Sequence, residues 1–201
     1  MNKNCLLCGV GGQGTVLASR LIAAAAMEKG MNARTAETIG MAQRGGSVVS
    51  HVRIGEEIFS SMIPKGKADI LIGFEPGEAV RTLSYLKKKG VVIVNRKAVA
   101  PVTASLSETQ YNGEEMITYL EANVKRVVVV DGDEICKICG SDKVLNIALL
   151  GAAIATGELG ITTEEMKQAI KDRVKPAFYE MNLQALEEGE RRVKTWQNAK
   201  N

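Results

Sequence analysis

The sequence predicts an α/β protein with three layers, in which a mostly parallel, Rossmann-like sheet carries a β-hairpin and the C-terminal end is helical. An apolar run near the N-terminus leads through a glycine-rich turn into a run of helix formers. Strand-like and helix-like segments then alternate, which is the order of a parallel sheet covered by helices. The 201 residues suffice for one α/β core, so we expect a single domain over residues 1–201.

Composition excludes several classes of protein. Hydrophobic residues make up 45% of the chain and charged residues 24%, which are globular values. A net charge of +3 is too small for a nucleic-acid-binding surface. The sequence contains neither the ~18 consecutive apolar residues of a membrane span nor a signal-peptide pattern. We therefore expect a cytoplasmic protein that binds neither nucleic acid nor membrane.

The first strand and helix surround the pattern Gly9-Val-Gly-Gly-Gln-Gly14. We expect Gly9 to permit a tight turn, Gly11 to let a ligand approach bare backbone, and Gly14 to let the helix Val16–Lys29 pack close to the strand. The free N–H groups at a helix start attract anions. The turn therefore indicates phosphate or nucleotide binding, while a tight turn that binds nothing is the alternative.

The second strand, Asn32–Thr38, is polar. A dinucleotide-binding unit usually has an apolar second strand that ends in an acid for the ribose. Glu37 has a suitable spacing from the turn, but its strand lacks the apolar character. A stand-alone nucleotide-binding dehydrogenase therefore stays an alternative rather than the main interpretation.

A second unusual stretch, Ile39–Ser47, places Gln43 and Arg44 beside Gly45 and Gly46. The glycines allow bends or a close backbone approach, and the arginine fork can bind phosphate or carboxylate. The alternative is a solvated turn before the next strand.

The strand Val48–Ile54 alternates in polarity, and Gly55-Glu56 predicts a hairpin turn into Ile58–Met62. His51, the sole histidine, lies on this strand, where a packed side chain and a functional one are both open interpretations.

Two buried strands follow, Lys67–Gly73 and Val91–Asn95. Between them we expect a helix with Pro76 in its first turn and the run Lys87–Lys89 at its C-terminus, where cations are favoured. Ligands bind beyond the carboxyl ends of parallel strands. The residues at the ends of these two strands, Gly73–Glu75 and Asn95-Arg96, should therefore face a ligand crevice.

The C-terminal half contains one more strand, Arg126–Asp131, and several helices. A helix over Gly113–Ala122 precedes the strand. Thr162-Thr-Glu-Glu165 is a capping box that starts a later helix, and Ala177–Trp196 forms the last one.

The four cysteines form two Cys-x-x-Cys pairs, which in other contexts hold metals or iron–sulfur clusters. Cys5 and Cys8 should lie on opposite faces of a core strand, because their offset is odd. Cys136 and Cys139 share one helical face, so a redox pair there stays open. We expect buried, reduced thiols and no metal site.

Several motifs together resemble one known family. They are Gly9–Gly14, Gly40-Met-Ala-Gln-Arg-Gly-Gly-Ser-Val-Val-Ser-His-Val-Arg53, Ala68–Pro76, Leu145–Gly151, Lys175-Pro176 and Asn182. They are similar to the gamma-type domain of 2-oxoacid:ferredoxin oxidoreductases, and the second motif is most similar to the members that act on indolepyruvate. The resemblance covers nearly the whole chain.

The resemblance implies a subunit of an enzyme that decarboxylates a 2-oxoacid, here an arylpyruvate, transfers the acyl group to coenzyme A (CoA) and reduces ferredoxin. Thiamine diphosphate and iron–sulfur clusters belong to a large partner subunit, so this chain holds no catalytic residue and should be inactive alone. Its implied contribution is to CoA binding, by Gly9, Gly11, Gly12, Gln13, Gly14, Thr15, Gln43, Arg44, Gly45 and Gly46. A non-catalytic interaction module of the same fold is a further alternative.

Overall fold

The structure is a computed structural model that describes residues 2–40, 46–100 and 111–200, apart from the side chains of 195–200. The strands are β1 (Lys3–Val10), β2 (Asn32–Ile39), β3 (Ser47–Gly55), β4 (Ala68–Gly73), β5 (Leu86–Asn95) and β6 (Val127–Val130). The helices are α1 (Thr15–Glu28), α2 (Pro76–Thr82), α3 (Gly113–Asn123), α4 (Gly132–Cys139), α5 (Leu145–Ala155), α6 (Thr163–Arg173) and α7 (Tyr179–Lys200).

The described strands form one six-stranded sheet in the order β2-β3-β1-β4-β5-β6. The pairs β1–β4, β4–β5 and β5–β6 are parallel. The pairs β1–β3 and β2–β3 are antiparallel. The predicted α/β class with a mostly parallel sheet is confirmed, and the carboxyl ends of β1, β4, β5 and β6 meet at one edge.

The hairpin lies in a different place from the one the sequence predicts. β2 and β3 form it, whereas residues 56–63 after Gly55 are irregular. Both edges of β3 are already taken by β1 and β2, so a strand over Ile58–Met62 has nowhere to pair. Arginine side chains hold this segment instead: Arg34 Nε donates to the Ile58 carbonyl at 2.6 Å, and Arg53 donates to that of Ser60 at 3.0 Å.

The lysine run does not end a helix. α2 stops at Thr82, a 3₁₀ turn follows, and Lys87–Lys89 belong to the first half of β5. Leu86 pairs with Ala68 at the start of β4, and this strand register requires β5 to begin before the lysines. Lys87 forms an ion pair with Asp69 of β4.

Helices cover both faces of the sheet and create two cores. Cys5 and Leu7 of β1 face the larger core, which α1, α4, α5, α6 and α7 share. Leu6 and Cys8 face the smaller core under α2 and α3. The alternation along β1 therefore confirms that the two cysteines lie on opposite faces. Among the described residues, no helix is long and apolar enough to cross a membrane.

The two helices of the larger core that pack closest do so through glycine. A Cβ on Gly151 of α5 would lie 2.0 Å from the Leu186 carbonyl oxygen, and one on Gly189 of α7 would lie 1.9 Å from that of Ala148. Backbone therefore meets backbone along α5 and α7, a contact that no larger residue permits. This packing fixes the position of α5. Asn146, in the first helical turn of α5, lies beside Gly14 of the glycine-rich turn.

His51 is a structural residue in this fold. It is buried on β3, its Nδ1 accepts a hydrogen bond from the Ile63 N–H at 3.2 Å, and its ring packs edge-on against Tyr85. Because Nδ1 is the acceptor, the ring must be neutral with its proton on Nε2. Burial lowers the pKa of His51 below its ordinary value.

We expect His51 to make the protein less stable in acid. In the unfolded chain it titrates near pH ~6.5, so below that pH the unfolded state binds more protons than the folded state. The stabilisation is complete above pH ~6.5 and is lost as the pH falls towards the lower folded pKa. Urea unfolding at pH 7.5 and 5.5 should therefore show a smaller loss of stability in His51→Gln than in wild type. Equal losses would contradict this role.

Candidate functional site

Gly9 is required for close packing rather than for its backbone angles. It lies within β1 and its φ angle is not positive. A Cβ at this position would lie 2.6 Å from Gln13 Oε1 and 2.7 Å from Phe74 Cβ. The expectation that Gly9 provides turn angles that a Cβ would hinder is therefore wrong, and the glycine instead makes room for the Gln13 side chain.

The positive φ angles belong to Gly12 (+99°) and Gly14 (+84°). Gly14 is the N-cap of α1, and a Cβ there would lie 3.0 Å from Asn146 Nδ2 at the start of α5. Gly14 thus permits the approach of a second helix, whereas the sequence predicted the packing of α1 against its own strand. A Cβ on Gly12 would meet no atom of the described residues within 4 Å.

The structure brings the two glycine-rich motifs together. The Gly11 N–H donates to the Gly46 carbonyl at 2.8 Å, and the Gly40 N–H donates to that of Ser47 at 2.8 Å, which closes the β2–β3 hairpin beside the turn. The Gly11 N–H is therefore used within the chain. The remaining residues predicted from the second motif, Gln43, Arg44 and Gly45, lie outside the described residues.

Gln13 joins the carboxyl ends of two strands. Its Oε1 accepts from the Val10 N–H at 2.8 Å, and its Nε2 donates to the Phe74 carbonyl at 3.1 Å. Asn95 Nδ2 donates to the same carbonyl at 3.3 Å, and Asn95 Oδ1 accepts from the Gly132 N–H at 3.1 Å. The ends of β4 and β5 thus lie at the turn. Both polar atoms of the Gln13 amide are therefore hydrogen-bonded to backbone, and this side chain supports the turn.

The first backbone N–H groups of α1 have no acceptor among the residues that the structure describes. Gly14 provides no side-chain cap, so the N–H groups of Thr15, Val16 and Leu17 precede the first intrahelical bond, which Ala18 makes. Thr15 is 3% exposed, and among the described residues its hydroxyl has no partner. A cavity of about 390 Å³ opens here, lined by Gly11, Gly12, Gly14, Thr15, Val16, Ile39 and Val48. The arrangement suits an anionic group.

Two further contacts were not predicted from the sequence. Ser47 at the start of β3 donates to Glu78 Oε2 at 2.7 Å, and Arg81 of α2 binds both residues. This cluster anchors the start of β3, at the loop end of the hairpin, to α2. The sequence spacing of Glu78 and Arg81 already indicates a pair on one face of a helix. Their contact with Ser47 could not be predicted in the same way, because it depends on the order of the strands in the sheet.

The strand order differs from that of a dinucleotide-binding unit. In such a unit the second strand is parallel to the first, lies beside it, and brings its acid to the ribose. Here β3 separates β2 from β1, and β2 is an antiparallel edge strand. Glu37 is exposed on β2 and accepts a hydrogen bond from Ser19 at 3.4 Å. The NAD alternative therefore has no support from the placement of this acid.

All four cysteines are free thiols, and three of them are buried. Cys5 and Cys8 are fully buried on opposite faces of β1, and burial raises the pKa of Cys8 to about 12. Burial also raises the pKa of Cys136 on α4 to about 11. Such thiols stay protonated at neutral pH. Across residues 2–40, 46–100 and 111–194, no three His, Cys, Asp or Glu residues form a group that could hold a metal ion.

The fold and the paired motifs can be compared with known proteins. The family model described as pyruvate ferredoxin/flavodoxin oxidoreductase matches residues 4–191. The chain belongs to this family. Its members are oxidoreductases, and the relatives that align along this chain are subunits of them.

One relative is the indolepyruvate oxidoreductase subunit IorB of Archaeoglobus fulgidus, which is 38% identical over 94% of this chain and 94% of its own length. The gamma subunit of a keto/oxoacid ferredoxin oxidoreductase from Geobacter sulfurreducens has the same fold, with a TM-score of 0.73 and 23% identity, covering 97% of this chain and 98% of that one. The fold also recurs in the 2-oxoglutarate:ferredoxin oxidoreductase of Magnetococcus marinus, solved with 2-oxoglutarate, CoA and succinyl-CoA bound (TM-score 0.72, 18% identity). The match covers 96% of this chain but 31% of that longer one.

Proposed function

We propose that this chain is the small subunit, a single gamma-type domain, of a cytoplasmic indolepyruvate:ferredoxin oxidoreductase. In the reaction the carboxylate of an arylpyruvate leaves as CO₂, two electrons pass to ferredoxin, and the acyl carbon forms a thioester with CoA, whose thiol proton is released. The observation that carries this proposal is the near-full-length similarity to the Archaeoglobus indolepyruvate subunit.

We assign the redox centres to a large partner subunit. Thiamine diphosphate supplies the bond cleavage and iron–sulfur clusters carry the electrons. Cys5 and Cys8 face different cores on opposite sides of β1, so this pair does not fit a shared cluster in the described part of the chain. The chain should therefore work as part of a hetero-oligomer, reach ferredoxin through its partner and be inactive alone.

The contribution of this chain is contact with CoA at the glycine-rich turn. The unused N–H groups of Thr15, Val16 and Leu17 and the Thr15 hydroxyl would bind its phosphates. Gly12 and Gly14 provide the backbone path, while Gly9, Gly11 and Gln13 hold the turn in shape. Gln43, Arg44, Gly45 and Gly46 complete the proposed set, with Arg44 as the cation for a phosphate.

The proposed function is tested by purifying the chain from its source organism under anaerobic conditions and identifying what accompanies it. We expect a large polypeptide with thiamine diphosphate and iron–sulfur clusters. Mixed from separate preparations, the two subunits should reduce ferredoxin with indolepyruvate only when CoA is present, and neither should do so alone. A complex with full activity that lacks this chain, or a chain that oxidises substrates with NAD by itself, would contradict the proposal.

Gly12 and Gly66 form a matched pair that isolates the role of the turn. Both have positive φ, and a Cβ on either meets no atom within 4 Å, so each Gly→Ala change should cost a similar ~1–2 kcal/mol of strain. Gly12→Ala should in addition raise the apparent KM for CoA about tenfold in the assembled enzyme. Gly66→Ala should leave that KM unchanged. Equal KM values in the two variants would show that the turn does not contact CoA.

A further inference from the structure

The strand β2 has an unpaired outer edge at one side of the sheet. The Gly40 N–H donates to the Ser47 carbonyl, and the bonds between two antiparallel strands recur at every second residue. The even-numbered residues of β2 therefore bond to β3, while the N–H and C=O groups of its odd-numbered residues point away from the sheet. These outward residues are Ala33, Thr35, Glu37 and Ile39.

A bond on the other side of β3 gives the same alternation. The Gly11 N–H donates to the Gly46 carbonyl, so the even-numbered residues of β3 bond to β1 and the odd-numbered ones bond to β2. In the strand register, the odd-numbered residues of β3 pair with the even-numbered residues of β2. Among the described residues, no hydrogen bond occupies the outward backbone groups of β2.

This outer edge lacks the usual protection. Proteins commonly protect an edge strand with proline, lysine or a bulge. The eight residues of β2 include neither proline nor lysine, and their pairing with β3 has no bulge. Its two charged side chains are engaged within the chain, Arg34 by the Ile58 carbonyl and Glu37 by the Ser19 hydroxyl. Such an edge is a template for a further strand.

Exposed apolar side chains stand at both ends of this edge. Phe59 is 89% exposed and Ile39 is 65% exposed, the highest values among the large hydrophobic residues in the described ranges. Ile39 is the last residue of β2, and Phe59 shares a cavity of about 390 Å³ with the first residues, Asn32–Arg34. A strand added to β2 would therefore cover apolar surface at each end as well as bond to backbone.

The position of the edge indicates which partner supplies that strand. Ile39 also lines the cavity at the start of α1, where we propose that CoA binds. A CoA molecule held there must reach the acyl group on the large subunit for the thioester to form, so the large subunit has to border this cavity. The outer edge of β2 starts at the same border and leads away from it.

We propose that an extended segment of the large subunit pairs with the outer edge of β2 and adds a strand to the sheet. This inference rests on the proposed function, because it requires the large subunit and CoA to meet at the start of α1. The segment receives the outward N–H groups of β2 on its carbonyls and carries apolar side chains that pack on Phe59 and Ile39.

Amide hydrogen exchange along β2 tests the pairing residue by residue. The four outward N–H groups should exchange fast in the isolated chain and at least about tenfold more slowly in the complex with the large subunit. The N–H groups of Arg34, Ala36 and Thr38 bond to β3 in both states, so their exchange should change much less. They are the control within the same strand.

Thr35→Pro tests the backbone contact in the assembled enzyme. It removes one outward N–H and leaves the bonds to β3 in place, because Thr35 does not donate to that strand. The dissociation constant for the large subunit, measured by ultracentrifugation, should rise at least about tenfold. Thr35→Val is the matched control: it keeps the N–H and nearly the same shape, and it should bind as wild type does.

Phe59→Ala tests the apolar end of the edge, with Tyr119→Ala as its control. Tyr119 is 50% exposed on α3, which contacts β6 at the other end of the sheet. Phe59→Ala should raise the same dissociation constant about tenfold, and Tyr119→Ala should leave it unchanged. Thermal melts verify folding, and Phe59→Ala keeps the test decisive if Thr35→Pro does not fold.

Three results would overturn the inference and leave the proposed function intact. Fast exchange of the outward N–H groups in the complex would mean that the large subunit binds elsewhere. Slow exchange in an isolated chain with the mass of a dimer would mean that a second copy supplies the strand. Equal weakening by Thr35→Pro and Thr35→Val would mean that the side chain, not the backbone, makes the contact. If wild type forms no complex with the large subunit, the proposed function fails as well.

Discussion

The Gln13 side chain is the interaction on which the geometry of this site depends. It lies between the last residues of β1 and β4, accepts from the Val10 N–H and donates to the Phe74 carbonyl. Gly9 must lack a side chain because Gln13 occupies that space. With Gln13 in place, Gly12 and Gly14 take positive φ angles and α1 begins without a cap, facing the edge where the parallel strands end.

The same edge gathers the other elements that we assign to function. The β2–β3 hairpin is held there by the Gly11–Gly46 bond, and α5 is held there by the close packing against α7. What these elements offer is backbone N–H groups, buried amides and apolar walls. Such groups bind and orient a ligand. They suit the contribution that we proposed for this chain, which is to bind CoA as part of a larger enzyme.

Local patterns predicted much of this fold. The alternation of Cys5 and Cys8, and the capping box of Thr162 and Glu165, follow from periodicity and short-range hydrogen bonds, and both are confirmed. Features that depend on strand order were not predictable: the hairpin was placed after Gly55, and Lys87–Lys89 were placed in a helix. The candidate site likewise has one part that local sequence predicts and one part that depends on the tertiary fold. The glycine-rich turn was visible as a motif, but the contact of Gly14 with Asn146 joins residues far apart in sequence.

The central claim is that CoA covers the start of α1 in the assembled enzyme. Amide hydrogen exchange at Thr15, Val16 and Leu17 tests it most directly, because these N–H groups have no intrahelical acceptor and should exchange fast in the isolated chain. We expect their exchange to slow at least about tenfold when CoA is added to the assembled enzyme, while the exchange along β2 is unchanged. Fast exchange at α1 in the assembled enzyme with CoA present would contradict the account.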